Sequence, residues 1–115
     1  MWQVTRFVRT PYRNVNFIFP TKQRDVEILL DSLLSTFGDM IERVTVFGSS
    51  VTSACNPWSD IDICVEGILE RPKFPKLENT TDVDFICGDD LAMSDSICRE
   101  VRERGVVVYE RERNR

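Results

Sequence analysis

With 115 residues, the chain has room for one domain and a modest core, not for two domains. Hydrophobic residues make up 42%, which excludes a disordered chain, and a net charge of −4 excludes broad, charge-driven nucleic-acid binding. A single nucleotide stays open as a ligand, because bound metal neutralises phosphate locally.

There is no histidine, so histidine general bases and histidine-dependent triads are out. The four cysteines, Cys55, Cys64, Cys87 and Cys98, form no C-x-x-C pair. They read as reduced thiols of a cytoplasmic protein rather than as a zinc site. The apolar stretch at Phe17-Ile18-Phe19 is too short for a secretory signal, and no run approaches membrane-spanning length.

Residues 1–20 read as an N-terminal extended segment. Val4 to Val8 and Val15 to Phe19 alternate in part, and Thr10-Pro11-Tyr12-Arg13 between them has turn chemistry, so a hairpin is expected. From Thr21 to Phe37, Val26, Leu29, Leu30, Leu33, Leu34 and Phe37 make one apolar stripe at helical spacing. Thr21 is the expected N-cap and Gly38 the stop.

Arg43–Phe47, Ile61–Val65 and Val83–Cys87 are short β-branched or aromatic runs and read as strands. Glu66 to Thr81, with Pro72 and Pro75, reads as a long loop. Ser94 to Arg104 reads as a second helix with Ser94 as N-cap and Gly105 as stop. Val106–Tyr109 is a last strand, and residues 111–115 are a charged tail. The body of the domain is thus residues 21–110.

The chemistry concentrates between Val46 and Val65. A strand runs into Gly48-Ser49, where glycine permits a sharp turn and close approach to a ligand. Small residues follow to Cys55 and suit one or two helical turns, whose free N–H groups would favour an anion. Alone, Gly-Ser is an ordinary tight turn.

Asp60 and Asp62 come next. At i and i+2 in a strand they share a face, with Cα atoms about 6.6 Å apart, while Ile61 and Ile63 face the core. Carboxylates so spaced can reach two metals held about 3.5–4 Å apart. Two bare carboxylates would repel, and a cation is the natural resolution. A calcium loop fails at this position, because Cys64 and Val65 fall where a ligand and the glycine are required.

A third acid lies in Asp82-Val83-Asp84-Phe85-Ile86, where Asp84 is preferred and Asp82 is the alternative. An oxygen-only set suits magnesium or manganese. Trp58 either stacks on a base or covers its loop.

Gly48-Ser49, ten intervening residues, then Asp60-x-Asp62 and a later strand acid together resemble the polymerase-beta-like nucleotidyltransferase superfamily. In size, and in Asn56-Pro57-Trp58-Ser59-Asp60-Ile61-Asp62, the chain is similar to the minimal branch related to kanamycin nucleotidyltransferase. Asp84-Phe85-Ile86 resembles the third-carboxylate strand, and Arg104 to Glu110 the closing helix-to-strand segment. Thr52 and Ser53 stand where members often carry Arg-Gly.

The resemblance implies an α/β (α+β) fold with a short mixed sheet and helices mainly on one face. It implies a nucleoside triphosphate substrate, Mg2+ or Mn2+ on Asp60, Asp62 and Asp84, and phosphates held at Gly48 and Ser49. It also implies transfer of a nucleoside monophosphate, AMP from ATP, to a protein or small-molecule hydroxyl. Two rival readings are a non-catalytic, antitoxin-like partner of a helical HEPN-type toxin and a metal-binding interaction module. So small a domain leaves little surface to enclose a base and an acceptor. A protein partner or a second copy is therefore expected, with contacts at Trp2, Val4, Phe7 and Val8 and in the loop from Arg71 to Lys76.

Overall fold

The computed structural model describes residues 12–51, 60–80, 82–87 and 95–111. Helix α1 spans Pro20–Phe37, β1 Arg43–Phe47, β2 Ile61–Glu66, β3 Val83–Cys87, α2 Asp95–Arg104 and β4 Val106–Glu110. The strands form one sheet in the order β3-β2-β1-β4. β1 pairs antiparallel with β2 and with β4, while β2 and β3 run parallel. The α+β class and the mixed sheet are those read from the sequence.

The alternation of each strand sorts its side chains between two clusters. Val44, Val46, Ile61, Ile63, Val65, Val83 and Val108 join Val26, Leu29, Leu30 and Leu33 of α1 in the larger one. On the other face Phe47 and Cys64 meet Val101 of α2, with Ile86, Ile97 and Cys98 against them. The helices are therefore shared between the faces more evenly than expected. The cause is the second, smaller apolar patch that Phe47, Cys64 and Ile86 create opposite the main core.

Parallel neighbours need a long crossover. The connection after Glu66 provides it; its described residues, 67–80 and 82, form no helix or strand, and Phe74 and Leu77 pack against the main core. Its reading as a long loop holds.

Strands β2 and β4 each run one residue beyond expectation, to Glu66 and Glu110, and two larger differences stand out. Helix α1 opens at Pro20, with Phe19 as N-cap and no capping side chain, so Thr21 lies inside the first turn. Proline suits that first position because its fixed φ is helical and its missing N–H would have gone unbonded there. The Phe19 N–H instead donates to Ser50 O at 2.8 Å.

The second arm of the expected hairpin is not a strand. Val15–Phe17 is a 3-10 turn entered through Asn14 at φ 59°. Tyr12 nevertheless bridges antiparallel to Tyr109, Arg13 N–H donates to Val108 O at 2.9 Å, and Asn14 Nδ2 to Val107 O at 2.8 Å. The β1–β4 register shifts between Val44 and Thr45, which makes Val108 the extra residue of a bulge. Residues 12–14 thus line the outer edge of β4. The first hairpin arm, the Thr52–Cys55 turns, Trp58, Ser94 and residues 112–115 lie outside the described residues. Among the described residues no helix is long and apolar enough to cross a membrane.

Candidate functional site

Asp62 lies in β2 on the face away from α1. Its register partner on β3 is Asp84. Asp62 is pushed up to about 7, first by burial, then by the hydrogen bond and charge of Asp84, then by Glu100 of α2 and by Asp60. Asp62 is half-buried and Asp84 exposed. Asp82, the alternative third acid, does something else: its Oδ1 accepts from the Val83 N–H at 3.0 Å, and its carbonyl receives the Ile61 N–H.

Gly48 turns the chain out of β1 at φ 75° into the 3-10 turn Gly48–Val51. A Cβ on Gly48 would lie 1.9 Å from Asp62 Oδ2. The glycine therefore makes the space in which the Asp62 carboxylate rests. Ser49 is half-buried in the same turn. Ser50, which the sequence reading passed over, is fully buried, and its Oγ donates to Asp60 O at 3.3 Å. Ser50 thus ties the turn to the residue that opens β2.

The chain belongs to the nucleotidyltransferase domain family. The model of that family, described as a nucleotidyltransferase domain, matches residues 26–87, just over half of the chain. The match runs from α1 through β3 and takes in Gly48, Ser49, Asp60, Asp62 and Asp84. Membership supports a general function in nucleotidyl transfer, with a nucleotide as substrate. No curated protein and no solved structure matches the chain.

A nucleotidyltransferase domain usually works with a divalent metal and a nucleoside triphosphate. The donor chemistry here is compatible. Asp62 and Asp84 are oxygen donors on adjacent strands, and the charge of Asp84 opposes the ionisation of Asp62 that a bound cation would favour. Among the described residues, however, no three histidine, cysteine, aspartate or glutamate side chains form a ready metal cluster. What the fold brings together is the Asp62–Asp84 pair, with Asp60 and Glu100 acting on it by charge.

Glu100 also acts on Asp62, from a helix that folds back over the site face, and no sequence motif marks that role. A second polar group lies on the opposite side of the domain. Lys22 and Asp25 are both fully buried. Their signal was present as two charged residues in positions that continue the apolar stripe of α1.

Proposed function

We propose that the domain transfers a nucleoside monophosphate from a nucleoside triphosphate to an acceptor hydroxyl, with Asp60, Asp62 and Asp84 as the metal-holding carboxylates. The observation that carries the reading is the pairing of Asp62 with Asp84 on adjacent parallel strands, with the Asp62 carboxylate directly over Gly48. The charge of Asp84 opposes ionisation of Asp62, and a bound cation would relieve that opposition.

Magnesium held there would neutralise the triphosphate and draw electrons from the reacting phosphorus. Gly48 and Ser49 give backbone and hydroxyl donors to the outgoing phosphates. Asp84, exposed at the edge of the site, orients the acceptor hydroxyl or takes its proton. The acceptor oxygen then bonds to the α-phosphorus as the α–β anhydride breaks, releasing pyrophosphate. ATP with AMP as the transferred group, and a protein as the acceptor, are the first combination to try.

The test is transfer from α-labelled nucleoside triphosphates with magnesium, using the wild-type chain and Asp62→Asn. Labelled product from the wild type, lost by at least about 100-fold in the variant with its circular dichroism unchanged, is the expected result. Equal activity in the two proteins would refute the assignment of Asp62.

A further inference from the structure

The Asp62–Asp84 pair exists only in one register of β3 on β2. Side chains alternate along a strand, so a slip of one residue would turn Asp84 toward the core and bring Val83 or Phe85 to the site face. In a hairpin the turn fixes the register, but β2 and β3 are parallel and joined by a long irregular connection. Burial of Val83 in the main core opposes a slip of one residue, but a slip of two keeps every side chain on its own face, and an anchor outside the strand ladder has to exclude it.

The buried polar group on α1 is placed to do so. Asp25 Oδ1 accepts from Glu78 N–H at 2.8 Å, and Oδ2 accepts from Asn79 N–H at 2.8 Å and from Thr80 Oγ1 at 2.7 Å. Lys22 Nζ donates to Asn79 O at 2.8 Å and to Thr80 Oγ1 at 3.1 Å. The Thr80 hydroxyl thus receives from the ammonium and donates to the carboxylate. All three side chains are buried, and Thr80 stands four positions before Asp84. Meanwhile α1 is fixed to the sheet by Val26, Leu29, Leu30 and Leu33.

Groups of this kind are costly to bury, and their best-attested use is to specify one pairing among several. A purely apolar contact at residues 78–80 could slide by one residue. Five directional hydrogen bonds to two backbone N–H groups, one carbonyl and one hydroxyl cannot.

We infer that Asp25, acting with Lys22 through Thr80, is a positioning residue that locks β3 in the register that holds Asp84 against Asp62. Its consequence for metal binding rests on the reading of Asp62 and Asp84 given above; the register claim does not.

The test uses the full chain as wild type, Thr80→Val, Thr80→Ser and Asp25→Asn. Two quantities are read: amide hydrogen exchange strand by strand, and Mn2+ binding followed by electron paramagnetic resonance. Thr80→Val keeps the side chain's shape without the hydroxyl, and Thr80→Ser restores the hydroxyl.

In Thr80→Val and Asp25→Asn, amides 83–87 should exchange at least about tenfold faster while those of 43–47 keep their protection. Mn2+ affinity should fall about 10–100-fold, the effect usual for a partner that orients a ligand. Thr80→Ser should stay near wild type in both. Unchanged exchange at 83–87, equal acceleration in all strands, or loss of the whole fold in both variants would overturn the inference. A wild type that takes up no Mn2+ would instead defeat the metal reading, and exchange at 83–87 would then decide the register claim alone.

Discussion

Replacing Gly48 by alanine separates two costs that the structure combines at one residue. The first is conformational: at φ 75° an L-residue is strained by about 1–2 kcal/mol. The second is steric and falls on one atom. The new Cβ would sit 1.9 Å from Asp62 Oδ2, so the carboxylate must retreat by roughly 1.5 Å to reach ordinary contact distance. Asp62 is only half-buried, so its carboxylate can turn outward toward solvent. The clash is therefore relieved by displacement, and it appears in activity more than in stability.

A misplacement of about 1 Å at a reacting centre costs on the order of 100-fold in rate. Gly48→Ala should thus lose about 1–2 kcal/mol in urea denaturation and about 100-fold in magnesium-dependent pyrophosphate release. Gly38→Ala is the control. It carries a positive φ of 53° with nothing within 4 Å of the added Cβ. With ψ at −122° it should lose at least as much stability, and no activity. Near wild-type activity in Gly48→Ala, or an equal loss in Gly38→Ala, would refute the reasoning.

Two further outcomes are expected. Because Asp62 sits near 7 when folded and near 3.8 when unfolded, the native state keeps a proton that the unfolded state gives up. Its contribution to stability is present below about pH 4 and is lost as pH rises to about 7, staying lost above. Without divalent ions, Asp62→Asn should therefore gain on the wild type across that window. The gain should be about 1–2 kcal/mol once solvent screening of a half-buried group is allowed for. Urea titrations at pH 4 and pH 8 check the sign, and magnesium should shrink the gap at pH 8. Arg43 bonds Glu110 at 2.8 Å and Glu66 at 3.2 Å across three strands, all three side chains partly exposed. Arg43→Met should cost about 1 kcal/mol at low salt and clearly less in about 1 M NaCl; a loss indifferent to salt would mean the side chain acts by packing.

The elements that could be read from sequence are those whose pattern repeats. The stripe from Val26 to Phe37 and the runs 43–47, 61–65 and 83–87 are long enough for periodicity to decide between helix and strand. Val15 to Phe19 misled because two alternations of apolar and polar residues also suit a single 3-10 turn. What settled it was Asn14 entering the left-handed region, which Asn tolerates better than most residues. Asp60 and Asp62 stood out because acids interrupt an apolar strand.

That Asp84 rather than Asp82 faces Asp62 is a property of the pairing, and no local pattern encodes it. Ser50 and Glu100 were illegible for the same reason, and for Lys22 and Asp25 the apolar stripe signalled burial but not the partner at Thr80. Each acts on a partner at least ten residues away, and each partner is known only once the chain has folded.

The strand order has a consequence for how the protein is made. β1 is the middle of the sheet, yet one of its neighbours, β4, begins only at Val106. On the ribosome, β1 and β2 can pair while the other side of β1 still lacks its partner. Until Glu110 has been synthesised, Arg43 to Val46 present an open backbone edge next to an apolar core. At about 5–20 residues per second the exposure is brief. A nonsense mutation between α2 and β4 makes it permanent. The truncated product then offers a central strand, not a frayed border, to any other copy, and its fate is self-association rather than a milder version of the native state.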